Sequence, residues 1–486
     1  MNLESNHDQF KLITQKRFGP FFGTQFLGAC NDNLYKFAVT LLITYQWRVD
    51  WLPSSLAGLV IGAVFILPFV VFSAFSGLLA DHYNKTRILQ GVKVLEIVIM
   101  SIAYFGLSQH FPTVLLVCIF LMGLHSTIFG PAKYAYLPVH ISKAELMGAN
   151  AMVEAGTFLA ILLGNLLGGV LISNQSGIAS FMKFSFPEQS VALFCILLSI
   201  TGLLISLFIP NSKSNSTFSQ FKSIDSENNL LKGLNPWTQT LNSLRQSHQI
   251  AGMSTTLYGI SWMWFYGAVF LSLFPSFSKE LLHGNSDVAS MLLVVFSIGI
   301  GIGSLLCNSL KHPIYELSLV FLGLIGMTIF TIDLAFTVNA QAYADTLFKL
   351  QPSSQLLKIA SQPLVSITVF LSQSGNFHIL MDLGFLSAFI GIFSVPLYTF
   401  IQTYSPSDEC AQTIAANNIL NALFMISSAV IVGVLLSIGL TIAQVFLLLG
   451  ASNIVCFFFL ARGLPDLQNH FFDWVKNLIV NFKNPF

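Results

Sequence analysis

The sequence predicts an all-α membrane protein with twelve transmembrane helices in two six-helix bundles. Hydrophobic residues make up 54% of the 486 residues and charged residues only 9%, whereas roughly a quarter of the residues in a soluble domain are charged. Apolar stretches of about 20 residues, the length that crosses a bilayer, recur twelve times along the chain. A polar segment rich in Ser and Asn separates the first six stretches from the last six, as expected for a linker between two bundles.

Each predicted span is an apolar run bounded by polar or turn-forming residues. In the first half the spans are 19–45, 55–80, 88–109, 112–135, 146–173 and 189–210. In the second half the spans are 250–276, 286–310, 315–337, 379–403, 413–437 and 439–462.

The predicted spans divide the chain into five segments. These are the N-terminus 1–18, the N-terminal bundle 19–210, the linker 211–249, the C-terminal bundle 250–462 and the tail 463–486. Segment 338–378 interrupts the second bundle with two Pro and many Gln and Ser, and we interpret it as an extracytosolic insertion. With the N-terminus in the cytosol, the cytosolic segments hold sixteen Lys and Arg and the outer segments five. This bias predicts that both termini and the linker are cytosolic.

An internal repeat supports the division into two halves. The segment GPAKYAYLP…GANAMVEA, 130–155, aligns with SVPLYTFIQ…IAANNILNA, 394–422. In this alignment Asn150 corresponds to Asn417, and Glu154 corresponds to Asn421. The same six-helix unit therefore occurs twice, and the insertion belongs to the second copy only.

The segment GLLADHYNKTR, which follows the second span, resembles the signature loop of the major facilitator superfamily. Its Gly77, Asp81, Lys85 and Arg87 match that pattern. A Gly at this place permits close approach of a second helix. We expect Lys85 and Arg87 to hold Asp81 in one conformational state and to release it in the other, which would make the loop a gate. The alternative is an ordinary cytosolic loop with positive charges.

Four further stretches resemble the lysophospholipid transporter family, in particular the membrane module that some bacteria fuse to an acyltransferase and an acyl-carrier-protein synthetase. They are FGPFFGTQFLGACNDNLYKFAVTLLITY, GLHSTIFGPAKYAYLP, GANAMVEAGTFLAILLGNLLGGVL and AANNILNALFMISSAV. The resemblance implies inward flipping of lysophospholipids across the bacterial inner membrane by alternating access, for re-acylation by an acyltransferase. The chain departs from the fused form in its short tail, so the acyltransferase would be a separate protein.

Several ionisable residues lie inside the predicted spans, where they are costly and usually mark a transport pathway or a charge pair. They are Asp32, Lys36, Glu96, His125, Glu154, Asp333 and Asp382. Most lie in the first half, which predicts that the polar face of the cavity is built there. Purely structural roles remain open as alternatives: Glu96 could pair with Lys93, His125 could form a packing hydrogen bond, and Asp333 and Asp382 could lie at the membrane interface.

Asp32 is the centre of the predicted substrate site, because it lies roughly 18 Å into its span at 1.5 Å per residue. Lys36, one turn away, is expected to pair with Asp32 until a zwitterionic substrate offers its ammonium to Asp32 and its phosphate to Lys36. An intrahelical pair without a role in transport is the alternative. We expect Glu96 to matter less. The predicted head-group residues are Asn31, Asp32, Lys36, Asn150, Glu154 and Asn421.

An aromatic stripe in the seventh span, Tyr258, Trp262 and Tyr266, is predicted to contact the acyl chain, although lipid-facing packing would give the same spacing. The sequence shows no nucleotide-binding loop, catalytic triad or metal-ligand cluster, so we predict no enzyme activity, cofactor or metal. The net charge of +1 gives no reason to expect a nucleic acid partner. The alternatives are a transporter of another amphiphile, such as a siderophore or drug, and a non-transporting scaffold for a separate acyltransferase.

Overall fold

The computed structural model confirms the predicted all-α fold. It describes residues 9–47, 49–52, 57–172, 187–211, 245, 250–310, 317–349, 364–406 and 409–464. The long helices in these ranges are α1 (Gly19–Leu41), α2 (Ala57–His82), α3 (Lys85–Ser108), α4 (Pro112–His140), α5 (Lys143–Ile172), α6 (Pro187–Ser206), α7 (Met253–Ser276), α8 (Ser286–Leu310), α9 (Ser318–Lys349), α10 (Ser374–Tyr404), α11 (Cys410–Ser437) and α12 (Ile442–Gly463).

Each predicted span overlaps one of these twelve helices. Eleven of them are long and apolar enough to cross a membrane. Helix α1 is the twelfth, and it is less apolar because it carries the polar stretch around Asp32. The described residues contain no β-sheet beyond one isolated bridge, between Gly284 and Val365.

The predicted insertion 338–378 is helical at both of its described ends. Helix α9 continues to Lys349, twelve residues beyond the predicted end at 337, and α10 begins at Ser374 after a short helix, Ile367–Ser372. The apolar run does end near 337, but six of the next twelve residues are Ala, Gln, Leu or Lys, which favour helix. Nearly all of the predicted linker and tail lies outside the described residues.

The chain divides into two compact units. Unit 1 contains Met1–Tyr258 and Tyr398–Leu423, and unit 2 contains Gly259–Leu397 and Phe424–Phe486. Unit 1 thus includes the last residues of α10 and the first half of α11. The first long helix of each sequence half, α1 or α7, ends in a five-residue π-helical turn, at Leu42–Gln46 and at Phe277–Leu281. This shared feature agrees with the internal repeat.

Small residues bring α5 against the backbone of α1 inside unit 1. A Cβ added at Gly168 would lie 2.8 Å from the carbonyl oxygen of Leu34, and one added at Gly164 would overlap the carbonyl oxygen of Cys30. Glycine at these two positions therefore permits a helix contact that no other residue allows. The contact fixes the face of α1 that carries Asp32.

Candidate functional site: a buried charge cluster in unit 1

The carboxylate of Asp32 lies between α1 and α4 and is only 8% exposed. The hydroxyl of Ser126 donates a short hydrogen bond to Oδ2 of Asp32. The Nδ1 atom of His125 lies 3.9 Å from the other oxygen, Oδ1. That oxygen accepts no hydrogen bond from the described residues, so Asp32 retains one free acceptor position.

Glu96 on α3 is the centre of the adjoining network. Its Oε2 atom lies 2.5 Å from the ammonium of Lys93 and 3.1 Å from Nε2 of His125, at an angle that does not form a hydrogen bond. Its Oε1 atom accepts hydrogen bonds from the amide of Asn31, at 2.6 Å, and from the hydroxyl of Ser199, at 3.3 Å. We call this set the buried polar cluster; its members are Asn31, Asp32, Lys93, Glu96, His125, Ser126 and Ser199.

Two glycines make room for the ammonium group of Lys93. A Cβ added at Gly28 on α1 would lie 2.8 Å from Nζ of Lys93, and one added at Gly202 on α6 would lie 3.2 Å from it. The side chain is completely buried. A lysine in such a place requires an anionic partner, and Glu96 supplies it.

The charges of the cluster do not balance when His125 is neutral. Lys93 compensates Glu96, and the negative charge of Asp32 then remains. His125 lies between the two carboxylates, and a cation at the free Oδ1 of Asp32 would compensate the remaining charge.

A second polar group surrounds Lys133 on α4. The ammonium of Lys133 lies 3.5 Å from the side-chain oxygens of Gln25 and Thr157 and 4.8 Å from the centre of the Tyr134 ring. Glu154 faces both Lys133 and Tyr134. We call this set the Lys133 group; its members are Gln25, Lys133, Tyr134, Glu154 and Thr157.

The Lys133 group lies two helical turns from the buried polar cluster. Gln25 precedes Asp32 by seven residues on α1, and Lys133 follows Ser126 by seven residues on α4. Seven residues correspond to two turns and about 10 Å of helix. Asp32 and Glu154, which we predicted to line one pocket, thus belong to two neighbouring groups along the same faces of α1 and α4.

The predicted ion pair between Lys36 and Asp32 is not formed in this structure. The ammonium of Lys36 lies over the ring of Phe65, 4.7 Å from its centre, in a cation–π contact. Asp32 instead faces α4, where Ser126 is its hydrogen-bond donor. Glu96 pairs with Lys93, which confirms the alternative interpretation of this residue, and its expected minor role in transport stays a prediction.

Asn150 and Asn421, the other predicted head-group residues, bind protein amides and hydroxyls. Asn150 on α5 exchanges two hydrogen bonds with Gln402 on α10, at 2.6 and 3.0 Å, and donates to Thr399 at 3.2 Å. Asn421 donates to Asn417 one turn earlier, at 3.4 Å. Sequence reasoning did not single out Gln402, because one amide in an apolar helix gives no charge signal.

The aromatic stripe of α7 has mixed surroundings. Tyr266 is fully buried, and its hydroxyl contacts the hydroxyl of Thr331. The indole nitrogen of Trp262 donates to Asn453 at 2.8 Å. Tyr258 is 37% exposed. The buried position of Tyr266 corrects its predicted role as a wall for an acyl chain, because this side chain is a packing residue of unit 2.

The signature loop contacts the N-terminus of α11. The two carboxylate oxygens of Asp81 accept hydrogen bonds from the backbone N–H groups of Ala411, at 3.0 Å, and Gln412, at 2.9 Å. A helix N-terminus has unpaired N–H groups and a partial positive charge, which favour an anion. A Cβ added at Gly77 would lie 2.6 Å from Cβ of Ala415, so glycine permits the close approach. We call this contact the Asp81 latch.

In this structure the hydrogen bonds to Asp81 come from backbone N–H groups. Neither Lys85 nor Arg87 forms an ion pair within 4.0 Å of its carboxylate among the described residues. The backbone N–H of Arg87 instead donates to the side chain of Asn84, which caps the N-terminus of α3. The expected exchange of Lys85 and Arg87 between two conformational states stays a prediction, and backbone amides of a distant helix leave no signature in the sequence.

The Lys93–Glu96 pair gives a stability prediction. Glu96→Gln is expected to lower the free energy of unfolding by about 3–5 kcal/mol, because Lys93 would remain as an uncompensated buried charge. Unfolding of the purified protein by SDS in mixed micelles measures this change. The double variant Lys93→Met/Glu96→Gln removes both charges and is expected to recover most of the loss. A Glu96→Gln protein as stable as the wild type would contradict the ion pair.

Comparison with known proteins identifies the class of protein. A family model that matches residues 21–350 is described as the Major Facilitator Superfamily. The chain belongs to the Major Facilitator Superfamily, as the signature loop predicted.

Curated relatives confirm the resemblance to lysophospholipid transporters. The chain is 30% identical over 186 residues to the lysophospholipid transporter LplT of Yersinia enterocolitica, covering 38% of this chain and 40% of that protein. It is 33% identical over 159 residues to the protein of that name from Citrobacter koseri, covering 33% and 37% of the two chains. The match thus spans at most two fifths of the length of these relatives.

Solved structures share the fold over nearly the whole chain. The fucose:proton symporter FucP of Escherichia coli has a TM-score of 0.62 at 13% identity, with 92% of this chain and 98% of that chain covered. The human organic anion transporter MFSD10 has a TM-score of 0.61 at 13% identity, with 93% and 99% covered. At this identity the likeness concerns the fold alone.

Proposed function

We propose that this protein is a secondary transporter that moves lysophospholipid-like amphiphiles across the bacterial inner membrane by alternating access. The family supports transport, and the names of the curated relatives support the substrate class. The substrate, the direction and the mechanism are parts of the proposal. Its structural support comes from unit 1.

The free acceptor oxygen of Asp32 is the observation that carries the proposal. Asp32 is a nearly buried carboxylate whose Oδ1 atom accepts no hydrogen bond from the described residues, and the ammonium of Lys36 on the same helix lies over Phe65. Two turns away, Lys133 is a buried cation that makes long hydrogen bonds of 3.5 Å to Gln25 and Thr157 and faces the carboxylate of Glu154. An acid and a base in this arrangement suit a zwitterionic head group, with its ammonium at Asp32 and its phosphate at Lys133. In this proposal Lys133 replaces Lys36 as the phosphate partner.

The Asp81 latch supports alternating access. Its two hydrogen bonds are charge-assisted, since a carboxylate accepts them at a helix N-terminus, and such bonds are individually strong. We propose that the latch closes the pathway on the side of the signature loop and that it breaks when this side opens. The substrate would then reach Asp32 from one side of the membrane at a time.

Uptake of labelled lysolipid into proteoliposomes tests the proposed function. The purified protein is expected to move radiolabelled lysophosphatidylethanolamine across the bilayer at least tenfold faster than empty liposomes do. Diacyl phosphatidylethanolamine, which carries the same head group on a larger body, is the matched control. Absence of lysolipid movement would overturn the proposal: a transporter of another amphiphile, such as a siderophore or drug, would move that compound instead, and a scaffold for a separate acyltransferase would move neither.

The proposed orientation places both termini and the linker in the cytosol of the bacterium. A cysteine at Ser214 is expected to react with a membrane-impermeant maleimide only from the cytosolic side, and a cysteine at Ser354 only from outside, because Lys and Arg favour the cytosolic segments. Both positions lie outside the described residues. The six native cysteines are buried, and a cysteine-free background removes their residual signal. Labelling of both positions from the same side would contradict the orientation.

A further inference from the structure

Helices α9 and α10 pack closely inside unit 2. Gly326 on α9 leaves room for the ring of Phe389 on α10, and Phe330, one turn further, stacks on Phe385 at 5.0 Å between ring centres. The helices run antiparallel along this contact, because higher numbers on α9 meet lower numbers on α10. The next turn brings Asp333 on α9 to His378 and Asp382 on α10.

These three side chains form a compact cluster of metal-ligand atoms. The Nε2 atom of His378 lies 3.1 Å from Oδ2 of Asp333 and 3.5 Å from Oδ2 of Asp382. One ligand atom from each residue lies within 4.8 Å of the other two. The side chains of Asp333 and His378 are about half exposed, at 49% and 53%, whereas that of Asp382 is 3% exposed.

The buried carboxylate of Asp382 lacks a hydrogen-bond partner at the oxygen that faces the cluster. Its Oδ2 atom accepts no hydrogen bond from the described residues. The Nε2 atom of His378 has at most one proton, and this proton is directed to Asp333. A protonated histidine therefore satisfies one of the two carboxylates and leaves the other without a donor. Buried carboxylates in proteins are paired or bind metal ions.

We propose that Asp333, His378 and Asp382 bind one divalent transition-metal ion of the Zn²⁺ class. Zinc lies about 2.0–2.2 Å from His nitrogen and carboxylate oxygen, in tetrahedral geometry, which places neighbouring ligand atoms about 3.3–3.6 Å apart. The observed separations of 3.1 and 3.5 Å need little adjustment. The ion would bond all three ligand atoms at once, and it would replace the proton on Nε2 of His378.

The ion would connect α9 to α10 in unit 2. One nitrogen and two carboxylate oxygens would leave the fourth tetrahedral position open, and the side chains of Asp333 and His378 are about half exposed. A mixed nitrogen and oxygen ligand set favours Zn²⁺ over Mg²⁺, which prefers oxygen ligands in an octahedron. The proposal departs from our prediction that the chain has no metal site. It is separate from the buried polar cluster and does not depend on the proposed transport function.

Metal binding by the purified protein tests the proposal. Isothermal titration with ZnCl₂ uses protein in detergent without a polyhistidine tag. One ion per chain is expected to bind, and the melting temperature is expected to rise with the zinc concentration, because an ion that binds the folded state stabilises it. Asp382→Asn and His378→Gln are each expected to weaken binding at least tenfold.

The control is His110→Asn, which removes an exposed histidine of unit 1 and suits the positive φ of 55° at this position. This variant is expected to bind zinc as the wild type does. Should Asp382→Asn fail to fold, the half-exposed His378→Gln still decides the question. No binding to the wild type, unchanged binding in His378→Gln, or equal affinity for Mg²⁺ would each overturn the proposal.

Discussion

Asp32→Asn is expected to reduce lysolipid transport at least about 100-fold, because the loss of one partner of a buried charge pair costs about 3–5 kcal/mol. The substitution keeps the shape of the side chain and an acceptor for the hydroxyl of Ser126. Folding should therefore change little, while the ammonium of the substrate loses its anionic partner. Initial uptake rates and equilibrium binding of lysophosphatidylethanolamine in proteoliposomes measure the effect.

Three further variants separate binding from structure. Lys133→Ala is expected to weaken binding of the same lysolipid, because it removes the proposed phosphate partner. Lys36→Ala is expected to have a smaller effect, because Lys36 contacts Phe65 and not Asp32. Ser126→Ala removes only a hydroxyl that orients Asp32, so it should reduce uptake less than Asp32→Asn does. Normal uptake by Asp32→Asn would show that the carboxylate has a purely structural role.

The helices were predictable because crossing a bilayer demands long apolar runs, and these are visible in a single sequence. The polar stretch of α1 was also recognisable, since a charge within such a run is costly. The sequence did not show which residues would come together in the buried polar cluster. Helical periodicity gives the face on which Asp32 lies but not the helix that packs against this face. The sequence therefore points to the nearest cation along the chain, Lys36, as the partner of Asp32. The true neighbour, Ser126, is a small polar residue of a kind common in membrane helices.

The contacts of the signature loop could be predicted only in part, for a related reason. The sequence singles out Gly77 and Asp81, and both lie in the contact with α11. The partner of Asp81 is a pair of backbone N–H groups, and every residue except proline has one. The sequence therefore indicates the acid and not its donors. The sequence indicates Asp333 and Asp382 singly but not as one cluster with His378, because the ligands come from two helices. His378 follows Asp333 by 45 residues, and the fold brings the two side chains to 3.1 Å.

The Asp81 latch gives the second large expected effect. Asp81→Ala is expected to reduce transport at least tenfold without loss of folded protein. It removes two hydrogen bonds to a charged acceptor, each worth about 1.5–3 kcal/mol, and leaves the N–H groups of Ala411 and Gln412 without this acceptor. If the latch forms in only one state of the transport cycle, its loss shifts the equilibrium toward the other state. Uptake rates and the protein level in the membrane are the measurements.

A matched control for the latch is Glu409→Gln, which removes a negative charge close to the same end of α11. The backbone of Glu409 takes part in the first turn of that helix, whereas the carboxylate of Asp81 is the group that accepts from Ala411 and Gln412. A general electrostatic effect at this helix end would impair both variants alike. An effect of the latch would impair Asp81→Ala and largely spare Glu409→Gln.

Asp81→Asn keeps one acceptor oxygen but no charge. Its uptake rate is expected to fall between those of Asp81→Ala and the wild type, because hydrogen bonds to a neutral acceptor are about half as strong as those to a carboxylate. Wild-type uptake by Asp81→Ala at a normal membrane level would contradict a role for this contact in the transport cycle.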